Sequence, residues 1–152
     1  MRVAIVGSGP SGFYAASRIL HSFDAQCGTG ENGVDIHMYE RLPTPFGLVR
    51  YGVAPDHPEV RNVENKFDEV ARDPRFTFLG NVQVTGGADV LPSAAVPVPL
   101  SCMAPYYTHI LFAYGASDAR HLHLPGTGPD GLEHIHTAFD FVQWYNGHPD
   151  AH

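Results

Sequence analysis

The chain has 152 residues, 43% of them hydrophobic, enough for one packed domain and too apolar for a disordered segment. Its net charge of −7, from nine Lys and Arg against sixteen Asp and Glu, excludes the basic surface that non-specific binding to nucleic acid or anionic membrane requires. No apolar run approaches the roughly 18 residues of a membrane span, and Cys27 and Cys102 fit neither a CxxC nor a zinc spacing, so they read as free thiols.

Val3 to Val6 is a short β-branched, apolar run, the pattern of a strand buried on both faces of a parallel sheet. No Arg-rich or secretory leader precedes it, so the expectation is a cytoplasmic protein or one whose targeting segment lies outside this chain. Gly7-Ser8-Gly9-Pro10-Ser11-Gly12 follows at once, then a helix from about Ser11 to His21 with Ala15, Ile19 and Leu20 toward the sheet. After the polar turn CGTGENG, Val34 to Tyr39 alternates as a second strand and ends at Glu40, completing a βαβ unit.

Arg41 to Glu59, RLPTPFGLVRYGVAPDHPE, has no hydrophobic period and reads as a long working loop. Pro58 suits the first turn of a helix, and Val60, Val63, Phe67 and Val70 form its apolar stripe up to Asp73-Pro74. Phe76 to Leu79 and Val82 to Val84 read as short strands. Residues 86–105 are rich in Gly, Ala, Pro and Ser; LPSAAVPVPLSCMAP carries four prolines and is unsuited to a central strand, so 86–105 reads as a loop insertion. Ile110 to Tyr114 is taken as another buried strand. Thr137 is the N-cap of a last helix, with Asp140 supporting the cap. The chain stops soon after that helix with no closing strand, which reads as a fragment or a truncated gene model.

GSGPSG fits G-x-G-x-x-G and has the context that gives the pattern meaning, a strand before it and a helix after it. Gly7 permits the tight turn, Gly9 lets the backbone approach a pyrophosphate, and Gly12 lets helix and strand pack closely. The helix's free N–H groups and dipole then favour phosphate. Glu40, at the end of the second strand, is placed to accept hydrogen bonds from the two hydroxyls of an adenosine ribose. A 2′-phosphate would be repelled there, so these residues fit FAD or NAD and not NADP, and the pattern alone does not choose between the two. Tyr114-Gly115-Ala116, a glycine at the end of a later strand, adds a second close approach to a cofactor.

VAIVGSGPSGFYAA, YERLPTPFGLVRYGVAPDHPEV, FLGNVQV, FAYGASD and FVQWYNGHP together resemble the adrenodoxin-reductase type of ferredoxin–NADP(+) reductase, a family related in fold to glutathione reductase. The resemblance implies an α/β architecture: a Rossmann-like, glutathione-reductase-like FAD-binding domain, incomplete here, with a parallel sheet and flanking helices. Residues 1–152 would be its N-terminal segment. It further implies hydride transfer from NADPH to FAD and single-electron transfer to a [2Fe-2S] ferredoxin or adrenodoxin. Gly7, Gly9, Ser11 and Gly12 would lie along the FAD pyrophosphate, Glu40 on the ribose, Leu48 in the loop over the cofactor and Val84 at the adenine side. His57, in Asp56-His57-Pro58, would approach the flavin and nicotinamide. The NADPH-binding domain, the basic docking surface for the iron–sulfur partner and the segment closing the flavin site would lie outside this chain. A eukaryotic member would be mitochondrial.

Other features have plainer readings. His121-Leu122-His123 and His134-Ile135-His136 each put two imidazoles on one side of an extended strand, but no carboxylate or cysteine stands at ligand spacing, so solvated loop histidines are expected and no metal. Arg50 either neutralises phosphate or lines the nicotinamide route, or simply pairs with an acid. Phe139, Phe141, Val142, Trp144 and Tyr145 read as core or as a packing surface for an absent domain. The rival to an oxidoreductase is a truncated, non-catalytic module that binds FAD or NAD. A glutamate-synthase-like electron-transfer subunit is a further rival, one that gives no reason for PFGLVRYGVAPDHP.

Overall fold

Short apolar strands alternate with helices along the first half of the chain, and the resulting parallel sheet positions everything else. A computed structural model describes residues 1–28, 33–86, 95–116, 119, 122, 124–127 and 131–151. In chain order the elements are β1 (Arg2–Val6), α1 (Pro10–Cys27), β2 (Asp35–Tyr39), the single turn α2 (Leu48–Tyr51), α3 (Pro58–Arg61) and α4 (Val63–Ala71). They continue with β3 (Phe76–Leu79), β4 (Val82–Thr85), β5 (Val96–Pro99), α5 (Leu100–Met103), a 3-10 turn (Ala104–Tyr106), β6 (His109–Phe112) and α6 (Ala138–Tyr145). The main sheet runs β3-β2-β1-β6, all parallel, with Val3 opposite both Ile36 and His109, and Ile36 opposite Phe76. None of the helices is long and apolar enough to cross a membrane, among the described residues.

The core lies between this sheet and α1 and α4. Ile5, Ile36 and Met38 have no exposed surface, and the Phe13 and Phe67 rings stack at 4.9 Å with Phe76 5.7 Å from Phe13. Each such burial is worth about 1.5–3 kcal/mol. The buried stripe of α1 is Gly12, Phe13, Ala16 and Leu20, with Ile19 partly buried against the same core as expected; Ala15 is not part of it. The expected helix after Pro58 is two pieces, α3 and α4, which meet at Asn62.

Two expectations are corrected. Residues 96–105 are not loop: β5 pairs in parallel with β4 as a separate two-stranded sheet, followed by α5 and the 3-10 turn. The prolines are tolerated because the pairing is one-sided. Val96 donates to the Asn81 carbonyl at 2.7 Å, so the alternate positions, Pro97 and Pro99, fall on the outer edge where no donor is needed. Ile110 to Tyr114 is not a buried strand either. β6 spans His109–Phe112 at the edge of the main sheet, with Leu111 and Phe112 exposed, since an apolar run is buried only where a neighbour covers it. The His121 and His123 positions lie outside the described residues.

On the opposite sheet face, Tyr107 fastens the 95–107 segment to β2. Its hydroxyl meets Tyr39 Oη at 2.5 Å and His37 Nδ1 at 2.6 Å, and burial, then the Tyr39 contact, raises its pKa. Arg75 ties α1 to the turn before β3: its guanidinium donates to Asp24 at 2.5 Å and to Asp73 at 2.8 Å. Hydrogen bonding from Arg75 lowers the pKa of both carboxyl groups below 3.8. Because those folded values are depressed, the stabilisation is present above pH 3.8 and is lost as pH falls through the folded values. Urea unfolding at a series of pH values should therefore show wild-type stability declining below pH 3.8. Arg75→Met is expected to be less stable at neutral pH and to have a shallower acid decline; an unchanged decline would show that other groups carry it.

Candidate functional site: a dinucleotide pocket at the sheet's switch point

Strands are added outward from β1 to β2 to β3, and the chain then returns to pair β6 on the other side of β1. In a parallel α/β sheet the crevice outside the carboxyl ends of the strands at this reversal is where ligands bind. A cavity of about 690 Å³ opens there, inside the range of small-molecule sites. Its floor is Val6 to Ser11, the end of β1 and the start of α1.

Two glycines of this turn, Gly7 and Gly12, are required by close approach. A Cβ on Gly7, where φ is +105°, would lie 2.5 Å from the Ala113 carbonyl oxygen, so this turn abuts the end of β6. A Cβ on Gly12 would lie 2.3 Å from the Gly7 carbonyl oxygen. Gly9 differs: nothing stands within 4 Å of its Cβ position, and its open side faces the cavity. No side chain caps α1 at Gly9, which leaves the first-turn N–H groups and the helix dipole to an anionic ligand.

Glu40 stands at the carboxyl end of β2 and lines the cavity. Its Oε2 accepts from Ser8 N at 3.0 Å and Ser8 Oγ at 2.6 Å, and its Oε1 accepts from Leu42 N at 3.0 Å. A carboxylate has about four acceptor positions, so capacity for a ribose hydroxyl remains while the group is held rigid. Ser8, the middle residue of Gly7-Ser8-Gly9, has no exposed surface and was not distinguished by the sequence pattern.

The loop after Glu40 crosses the cavity. Phe46 takes φ of +88°, a conformation costing a non-glycine residue about 1–3 kcal/mol. It is held there by its N–H donating to the Ser8 carbonyl at 3.0 Å, by its ring packed on Phe13 and Phe67, and by the Arg50 guanidinium 5.3 Å above the ring. Arg50 thus serves the loop: its Nε donates to the Pro45 carbonyl at 3.0 Å. The turn that follows presents Leu48 at the cavity wall, 64% exposed.

The far wall comes from α6 and the residues after it. Thr137 and Asp140 form a reciprocal capping box that starts the helix. Phe139, Val142 and Gln143 face the cavity while Phe141 and Trp144 stay exposed, so these aromatics are not core. The following residues dock on the loop. Asn146 donates to the Tyr51 carbonyl at 3.0 Å, Arg41 pairs with Asp150, and the His148 ring meets the Tyr51 ring at 4.9 Å.

Of the residues singled out by sequence, Gly7, Gly9, Ser11, Glu40, Leu48 and Val84 line the cavity. Gly12 lies behind it, at the helix–strand contact. His57 is not on the cavity wall: its side chain is 58% exposed and its Nδ1 lies 2.9 Å from Asp56 Oδ1, a bond that lowers the Asp56 pKa. Ser8, Tyr51 and His148 also line the cavity and are among those that sequence reasoning did not single out. The signal for Ser8 was its place between two motif glycines; those for Tyr51 and His148 depend on long-range docking.

No family model matches the chain. Among curated proteins, NADPH-ferredoxin reductase FprA of Mycobacterium leprae is 45% identical over 150 residues, 99% of this chain and 29% of that protein. The mitochondrial NADPH:adrenodoxin oxidoreductases of Arabidopsis thaliana and Homo sapiens are 43% and 44% identical, over 99% and 98% of this chain and 27% and 26% of theirs. The solved structure of Mycobacterium tuberculosis FprA in complex with NADPH superposes with a TM-score of 0.76 at 42% identity, covering 97% of this chain and 29% of that one. The chain therefore resembles these reductases over nearly its whole length, shares their α/β, Rossmann-like fold, and spans less than a third of their length.

Proposed function

We propose that this chain is the FAD-binding part of an NADPH-dependent ferredoxin or adrenodoxin reductase, corresponding to the N-terminal segment of its FAD domain. The observation that carries the reading is the cavity itself: an open Gly9 and an uncapped helix start beside a carboxylate fixed at the end of β2, in a chain 43–45% identical to such reductases. These groups fit a dinucleotide with a free adenosine ribose. Gly9, Ser11 and the α1 N-terminus would hold the pyrophosphate, Glu40 the ribose, Val84 the adenine side, and the Leu48 turn would cover the cofactor. Gly12 would serve by keeping α1 against β1. When bound, FAD supplies the exchange between a hydride taken from NADPH and single electrons passed to a small iron–sulfur protein, for which a [2Fe-2S] ferredoxin or adrenodoxin is the proposed partner. The protein's own residues bind and orient the cofactor and exclude water from it. His57 is proposed as a contact near the nicotinamide once the rest of the reductase closes over its exposed ring.

Residues 86–105 are read as an insertion in this domain. The segment's described part contributes β5, which pairs with β4 and not with the main sheet, and this supports that reading. The NADPH-binding domain and most of the partner's docking surface are assigned outside this chain, because it spans 26–29% of the reductases' length. A mitochondrial address follows if the source is eukaryotic, as in the eukaryotic relatives; the FprA relatives are mycobacterial.

A second reading, a nucleotide-binding module that transfers nothing by itself, is favoured for the isolated chain by that same share of length. Purified protein incubated with FAD and desalted is expected to keep the flavin's visible absorption and quench its fluorescence, yet not to reduce ferredoxin with NADPH. Retention of NAD with no retention of FAD would overturn the cofactor assignment. Ferredoxin reduction by the chain alone would overturn the division of labour.

A further inference from the structure

We propose that His148 is an additional cofactor-binding residue, donating its Nε2–H to an oxygen of the ADP half of the bound dinucleotide. The proposal rests on the FAD reading above and adds a contact from the end of the chain. His148 lines the cavity, and three interactions hold it there. Asp150 N–H donates to His148 Nδ1 at 3.1 Å, which fixes Nδ1 as an acceptor and puts the ring proton on Nε2. The ring packs on Tyr51, itself a cavity residue whose hydroxyl bonds Thr44 Oγ1 at 2.5 Å. The Asn146 amide, donating to the Tyr51 carbonyl, sets the approach of this segment, and Gly147 takes φ of +66° to make the turn into His148.

The charges around the ring place it at the adenosine end. Asp150 and Glu40 favour its protonated form and Arg41 disfavours it, and both Glu40 and Arg41 line the same cavity. Burial outweighs these and lowers the pKa of His148, so the ring is neutral at pH 7 and offers one donor, not a charge. A neutral donor beside Glu40 complements it: the carboxylate accepts from ribose hydroxyls, and the imidazole can donate to a ribose or phosphate oxygen, which an ionised carboxylate cannot do.

Binding of FAD, ADP and FMN to the full chain, read by flavin fluorescence and calorimetry, tests this. His148→Leu is expected to weaken FAD and ADP alike by about tenfold, the effect of one hydrogen bond to a charged oxygen. His148→Gln, which carries an amide N–H near the Nε2 position, should stay within about threefold of wild type, and His148→Asn, which reaches only as far as Nδ1, should behave like the leucine variant. FMN binding should not respond. The proposal is overturned by wild-type affinity in His148→Leu, by a loss confined to FAD with ADP unaffected, or by equal losses in all three variants with a lowered melting temperature, which would mean packing alone. A wild-type chain that binds neither FAD nor ADP overturns this proposal together with the reading it rests on. Wild-type FAD binding with an indifferent leucine variant overturns only the role of His148.

Discussion

Gly12→Ala is expected to abolish FAD binding and to destabilise the chain by about 2–3 kcal/mol, the upper range for forcing atoms into a packed site. Two effects oppose each other. Alanine favours a helix interior over glycine by about 1 kcal/mol. The new methyl group, however, would stand 2.3 Å from the Gly7 carbonyl oxygen and 3.3 Å from Met38 Cε. The methionine end can swing aside, but the carbonyl belongs to the turn that abuts β6 and cannot move without opening the sheet. The clash therefore wins, and it displaces the N-terminus of α1 from the cavity floor. Urea unfolding followed by circular dichroism measures the first effect and fluorescence titration with FAD the second. A variant with the wild-type midpoint and wild-type uptake would show that the helix packs less tightly on β1 than the distances indicate.

The second large effect is expected at Glu40. Glu40→Gln should weaken FAD by about 10- to 100-fold, since one or two charge-assisted bonds to the ribose are worth about 1.5–3 kcal/mol each. The amide that replaces Oε2 would also face the Ser8 donors, N–H and O–H, with a donor of its own. Ser8→Ala alone should cost less, about fivefold, by freeing the carboxylate to leave its orientation, a modest hydrogen-bond effect. The double variant should be no weaker than Glu40→Gln, because Ser8 acts through Glu40. Additive losses in that cycle would mean that Ser8 serves the turn and not the carboxylate.

Much of the site was legible because its determinants are local. Gly7, Gly9 and Gly12 fall within one strand–turn–helix unit, and Glu40 ends the next strand, so spacing alone brings them to one crevice. Ser8 was missed because the motif assigns meaning to its glycines and leaves the residue between them free. Segment 96–105 was misread because the rule against proline in strands holds for two-sided pairing, and a pattern of Val and Pro in alternation satisfies a one-sided ladder. The run Ile110 to Tyr114 was misread for the opposite reason. Its composition records what should cover it, and the cover is not among the described residues. His148 and Tyr51 meet only after Asn146 reaches back across the loop, a pairing no window of sequence contains.

The alternation of β5 also sets a direction for unwanted growth. A strand edge recruits further strands by offering free donors and acceptors in register. With Pro97 and Pro99 outermost, the β4–β5 ribbon has no donors to offer on that side and acts as a terminator. The outer edge of β6 has no such device: it carries exposed Leu111 and Phe112, and no strand pairs with it among the described residues. Among the described residues these two outer strands are therefore unequal: the outer side of β5 is sealed by its own sequence, and that of β6 relies on a neighbour to seal it.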